Sequence, residues 1–181
     1  DFMGHHHMVR KGMFLYDALL NVPMIWYAPG HLSNGRKVKN LAQGIDIFPT
    51  LIDLTGGERP SDLEGRSLKN VLAGETINDD GFFIYTSAGY NDLDFQRLEI
   101  DVATDDETPL HTRALRQNMN PKLRTKSIRN REWKLIMSES RPLELYHMNG
   151  GHIERENVAE KTEFADVRGK LEKRLRYWWP W

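Results

Sequence analysis

Cysteine is absent from this 181-residue chain. Disulfides, thiolate metal sites and cysteine nucleophiles are therefore excluded within these residues. A charge excess is missing too: 25 Lys and Arg stand against 26 Asp and Glu, a formal net charge of −1. No global field recruits nucleic acid or an anionic membrane surface, so neither is expected as a partner. No run reaches the roughly 18 apolar residues of a transmembrane helix, and the first residues lack the basic, apolar, small-residue order of a signal peptide. There is no internal repeat and no low-complexity tract. What is present is a chain 39% hydrophobic and 10% aromatic. At this length about 70% of the unfolded surface is buried on folding, enough for a real core.

Met13-Phe14-Leu15-Tyr16 and Ala18-Leu19-Leu20 predict a short helix or turn. The β-branched and aromatic run Val22 to Tyr27, closed by Pro29-Gly30, predicts a strand buried on both faces, with Pro23 tolerated at its start. The chain supplies few partner strands for it, which predicts a sticky or poorly stable protein unless another chain completes the sheet. Ser33-Asn34-Gly35 signals a turn. Asp46 is placed to cap a helix carrying Ile45, Phe48, Leu51, Ile52 and Thr55 at helical spacing. Pro49 lies in its tolerant first turn and Gly56-Gly57 form its stop.

A short turn at Leu68 to Ala73 and a strand at Phe82 to Thr86 follow. Periodicity then fades over residues 87–126, where acidic residues give way to His111, Arg113 and Arg116; so long an irregular stretch reads as a functional surface loop or a mobile segment. Ser127-Ile128-Arg129 and Trp133 to Met137 predict a hairpin with alternating faces, and Leu143 to Tyr146 a third short strand. Phe164, Val167, Leu171, Leu175 and Trp178 recur every three or four residues, an apolar helical stripe expected to pack on the hairpin sheet. The order predicts the end of an α/β layer followed by a small α+β subdomain.

Several motifs resemble the type I, formylglycine-dependent sulfatases of the alkaline-phosphatase superfamily. Gly4-His5-His6-His7-Met8-Val9-Arg10-Lys11 is similar to their Gly-x-His-x-x-x-x-Lys pattern. Tyr16-Asp17, Val22-Pro23-Met24-Ile25, Asp46-Ile47-Phe48-Pro49-Thr50-Leu51 and Leu63-Glu64-Gly65-Arg66-Ser67-Leu68 follow in family order. So do Arg129 with Lys134-Leu135-Ile136, Glu144-Leu145-Tyr146, and Glu154 to Asn157. Residues 87–126 fall outside the match, and Asn149-Gly150-Gly151 replaces the usual acidic Asp-Pro turn.

The resemblance implies the C-terminal part of an alkaline-phosphatase-like α/β domain over residues 1–80. An α+β subdomain, an antiparallel sheet with a C-terminal helix, would occupy 81–181. It implies hydrolysis of a sulfuric ester, with a formylglycine nucleophile and calcium supplied by an N-terminal part of the domain, and a periplasmic or secreted destination. A phosphonate or phosphate monoester hydrolase of the same superfamily and a non-catalytic recognition fragment are the alternatives. Neither a Cys/Ser-x-Pro-x-Arg nucleophile motif nor a carboxylate cage is found here, so the chain alone is expected to be inactive. Ser140-Arg141-Pro142 starts like that motif but lacks its arginine.

The resemblance places the sulfate-binding lysine on Lys11, where an ammonium can stabilise developing negative charge. It places the family histidine on His6, whose imidazole can donate to sulfate or protonate a leaving alkoxide. Arg10, His111 and Arg113 are candidates for holding other anionic groups of a sulfated carbohydrate. A solvated surface lysine, a structural histidine and a solvated charged loop are the competing readings. Three adjacent histidines make a poor metal site because consecutive side chains diverge, and no metal ligand is assigned in this chain. Trp178, Trp179 and Trp181, at a helix end, are expected to seal a core or an interface.

Overall fold

A computed structural model describes residues 2–8, 14–32, 35–75, 84–88, 124–139, 141–148 and 154–178. Its contacts divide the chain into two units, Asp1–Asn21 with Tyr85–Trp181, and Val22–Ile84.

The first unit is built on a four-stranded sheet in the order β1-β2-β3-β4. The strands are β1 (Ile84–Ala88), β2 (Thr125–Arg129), β3 (Trp133–Ser138) and β4 (Glu144–His147). β2, β3 and β4 pair antiparallel, with Ile128 opposite Leu135 and Leu135 opposite Leu145. The β2–β3 hairpin turns at Asn130, whose side-chain oxygen accepts the Glu132 and Trp133 amides at 2.9 and 2.7 Å, the local bonding that makes Asn a turn residue. The strand expected at Phe82 to Thr86 is met by β1 over Ile84 to Thr86, Phe82 and Phe83 lying outside the described residues, and the hairpin and the strand expected at Leu143 to Tyr146 form.

The expected alternation of buried and exposed faces does not hold, because the hairpin is covered on both sides. Residues of one parity in β3 carry Trp133, which packs on Phe164, and the row Ile128, Leu135, Leu145 lies on this face. The last helix, α4 (Ala165–Trp178), packs there, burying Leu171 and Leu175. The amphipathic spacing of that helix was legible. At its end Trp178 stacks on Tyr85 with ring centroids 4.6 Å apart yet stays half exposed, whereas Trp179 and Trp181 lie outside the described residues. The opposite face carries Arg129, Lys134, Ile136, Glu144 and Tyr146, and residues 2–8 and 14–19 close over it. Phe2, Tyr16, Ile136, Tyr146 and Met148 form one buried cluster flanked by Met8, Phe14, Ala18 and Leu19. The short helix α1 (Asp17–Leu20) ends this covering segment.

In the second unit, α2 (Ile47–Thr55) stops at Gly56, which adopts φ +72°, with Gly57 N–H returning to the Ile52 carbonyl at 3.0 Å. Asp46 does not cap α2 through its side chain. Its carboxylate instead closes the preceding 3-10 turn on Gln43 N–H at 2.9 Å and accepts Arg66 N–H at 2.9 Å. The Leu63-to-Leu68 motif thereby folds back on the helix. Leu68 N–H donates to Thr50 Oγ1 at 2.8 Å, and the Arg66 guanidinium bonds the Leu41 carbonyl. Gly65 sits at φ +85°, where a Cβ would collide with the Ile45 carbonyl oxygen. α3 (Lys69–Ala73) follows and buries Val71.

Two expectations fail here. Val22 to Tyr27 forms no strand and is not buried: Val22 is 64% and Ile25 88% exposed. Apolar content alone cannot make a strand without a neighbouring ladder, and none is present among the described residues. The stripe of α2 is turned the other way, with Phe48 56% exposed and Ile45, Ile47 and Leu51 exposed beside it. Pro49, Thr50 and Leu54 are the buried face.

Candidate functional site

The sheet face covered by residues 2–8 and 14–19 is also where the charged residues gather. Arg129 and Lys134 are cross-strand partners on one face, a like-charge pairing that is unfavourable by itself. Asp17 resolves it by bridging both: one carboxylate oxygen meets the Arg129 guanidinium and the other takes Lys134 Nζ at 2.7 Å. Lys134 Nζ also donates to Glu154 Oε1 at 2.6 Å, and Glu154 Oε1 accepts Asp17 N–H at 2.8 Å. Two carboxylates and two cations thus cancel in a buried cluster. Burial acts to raise the Asp17 carboxyl, but Lys134 and Arg129 outweigh it and hold it below the usual carboxylate range.

A second knot adjoins the first. Tyr16 and Tyr146 both donate to Glu144 Oε2, at 2.7 and 2.6 Å. Burial, reinforced by these bonds, pushes the Tyr16 hydroxyl up to about 12 and raises that of Tyr146 as well. Asn157 fastens the next segment: its side chain accepts Leu145 N–H at 2.9 Å and donates to the Leu143 carbonyl at 3.1 Å.

His6 rests against both knots. It lies in a 3-10 turn, His5–His7, in which His6 and His7 have positive φ, His6 at 52°, as does Met3 just before it, backbone that non-glycine residues rarely adopt. Its ring stacks on Tyr16 at 3.9 Å with planes 14° apart, edge-on to Phe2 at 6.2 Å. Its Nε2 stands 3.7 Å from Glu154 Oε2. His5 and His7 are exposed, so only one of the three histidines enters the network.

Of the residues expected in the site, His6 is the one described; Lys11, Arg10, His111 and Arg113 lie outside the described residues. Asp17, Arg129, Lys134, Glu144 and Glu154 were each visible as motif letters but not as one cluster. Partners more than a hundred residues apart leave no spacing signal in a single sequence. For a metal the fit is poor: among the described residues no three His, Cys, Asp or Glu could hold an ion, and Asp17 and Glu154 are already neutralised by cations. Among the described residues no helix is long and apolar enough to cross a membrane.

An antiparallel sheet closed by a C-terminal helix carries motif residues that lock an N-terminal histidine segment onto it. The chain belongs to the family described as N-sulphoglucosamine sulphohydrolase, C-terminal, whose model matches residues 4–106. It is 39% identical over 77 residues to a Delta 4,5-hexuronate-2-O-sulfatase of Bacteroides thetaiotaomicron, covering 41% of this chain and 16% of that protein. It is similar in fold to a 2-O GAG sulfatase, with TM-score 0.72 and 22% identity over 98% of this chain and 34% of the other. A phosphonate monoester hydrolase from Silicibacter pomeroyi matches with TM-score 0.63 and 25% identity, covering 90% of this chain and 29% of that one. The chain thus spans about a third or less of the proteins it matches.

Proposed function

We propose that these residues form the C-terminal part of a sulfuric ester hydrolase, residues 1–80 ending its catalytic α/β domain and 81–181 forming the α+β subdomain. The observation that supports this reading is the family match across the His6 and Lys11 motif, joined to the burial of the family's motif residues in one network around His6. Lys11 stabilises the charge that develops on the sulfate oxygens, and His6 serves the leaving alkoxide. Arg10, His111 and Arg113 hold further anionic groups of a sulfated carbohydrate, the substrate class named for the Bacteroides relative.

The nucleophile, a formylglycine, and the calcium that assists it belong to an N-terminal part of the domain, since the carboxylates described here are occupied by cations. That part also covers the exposed apolar surfaces of Val22 to Tyr27 and of α2, and in life it is periplasmic or secreted. The similarity to a phosphonate monoester hydrolase supports a second reading with the same residues acting on a phosphorus ester. Kinetics of the polypeptide joined to its N-terminal part separate the two. Lys11→Met is expected to lower kcat/KM for an aryl sulfate by roughly a hundredfold or more; a variant as active as the parent contradicts the role of Lys11.

A further inference from the structure

We propose that Glu154 is the positioning residue of His6, holding its Nε2–H so that Nδ1 is the ring atom left to face substrate; the catalytic consequence rests on the sulfatase reading. Glu154 is fully buried, and its two oxygens are unequal. Oε1 is taken by Lys134 Nζ at 2.6 Å and by Asp17 N–H at 2.8 Å. Oε2 is buried and accepts no hydrogen bond among the described residues. A buried carboxylate oxygen left without a donor is costly, and His6 Nε2 stands 3.7 Å from it. That gap exceeds a hydrogen bond, which runs ~2.7–3.2 Å. It closes by a slide of the imidazole within its own plane. The near-parallel stack on Tyr16, with planes 14° apart, permits that slide without loss of the aromatic contact.

The rest of the surroundings agree. The left-handed backbone of His6 is maintained by a fold that over-determines it, as at functional sites. Lys134 and Arg129 already stand against Asp17 and Glu154, so the cluster does not need a charge from His6. With Nε2 engaged, the neutral ring presents a lone pair at Nδ1 and the protonated ring presents Nδ1–H. The same atom therefore serves as acceptor or as acid toward a leaving oxygen.

The test reads the ring directly, by 15N-edited NMR of the 181-residue chain at about pH 9, where imidazole is ordinarily neutral. His6 should show one tautomer, Nε2–H, while the exposed His5 and His7 show the mixed tautomers of free imidazole; the same mixture at His6 overturns the proposal without any variant. In Glu154→Gln the amide oxygen must take the seat facing Lys134 and Asp17 N–H, which turns the amide NH2 toward His6. The His6 tautomer should then invert to Nδ1–H, and a folded E154Q chain with an unchanged tautomer also overturns it. In the sulfatase containing these residues, E154Q should lower kcat about tenfold or more with KM nearly unchanged, and unaltered kcat refutes the positioning role. Failure of the parent enzyme to cleave any sulfate ester instead sinks the sulfatase reading, while the ring measurement still decides the Glu154 contact.

Discussion

Replacing Lys134 with Met should be among the most damaging single changes to the first unit. The ammonium is 1% exposed and bonds Asp17 Oδ1 at 2.7 Å and Glu154 Oε1 at 2.6 Å. Hydrogen bonds to charged groups contribute about 1.5–3 kcal/mol each. Two of them, less the apolar gain from a methionine side chain, give a loss of about 3–5 kcal/mol, the range for removing one member of a buried ion pair. What remains is two buried carboxylates, of which Asp17 keeps its contact with the Arg129 guanidinium.

The effect should depend on pH in a defined direction. Because the cations hold Asp17 low, its contribution to stability is present above the ordinary carboxylate range and is lost as pH falls through the depressed value. In K134M the main opponent of burial is gone, so the stability gap between variant and parent should narrow as pH falls from 7 to about 4. Urea unfolding followed by tryptophan fluorescence measures this, with a midpoint lowered by roughly 1–3 M at pH 7 or no native baseline at all. A loss below about 1 kcal/mol, or a gap that does not change with pH, would refute the description of this cluster as a set of mutually dependent buried charges.

In the second unit, Gly65→Ala should cost well over the ~1–2 kcal/mol of a left-handed alanine, because its Cβ meets the Ile45 carbonyl. Gly56→Ala, at φ +72° with open space around it, should cost only that conformational amount; equal losses in thermal melts would contradict the close approach. Tyr16 should resist ionisation until about pH 12 in an ultraviolet titration. A group raised in the fold contributes stability below its unfolded value near 10 and loses it as pH rises through the folded value. A normal phenol titration near pH 10 at this residue would show that its bond to Glu144 is not retained in solution.

How much of this could be read from the sequence differs by element. The α2 stop at Gly56, the β2–β3 hairpin around Asn130 and the apolar stripe of α4 were legible, because each is written in local chemistry: a left-handed glycine, an Asx turn, a 3.6-residue period. Orientation was not. The period of α2 says that Ile45, Phe48 and Leu51 share a side, but Thr50 and Pro49 meet the core because Leu68 N–H bonds Thr50 and Arg66 N–H bonds Asp46. Val22 to Tyr27 has strand composition yet lacks a ladder partner among the described residues, so composition overstated its order.

In the candidate site the sequence singled out His6 but not the buried residues that surround it. Asp17, Lys134 and Glu154 looked like family spelling, and a lysine at position 134 in a strand reads as exposed. Its burial follows from carboxylates supplied by two other segments, a property of the tertiary structure that no local pattern encodes.

The proposed function, that these residues complete a sulfatase active site, is tested most directly by sulfate release from an aryl sulfate by the natural polypeptide that contains them, measured beside phosphate-ester and phosphonate-ester hydrolysis. Turnover of the sulfate ester at the higher kcat/KM is expected. A preference for the phosphonate ester, or no cleavage of any sulfate ester, would contradict that function.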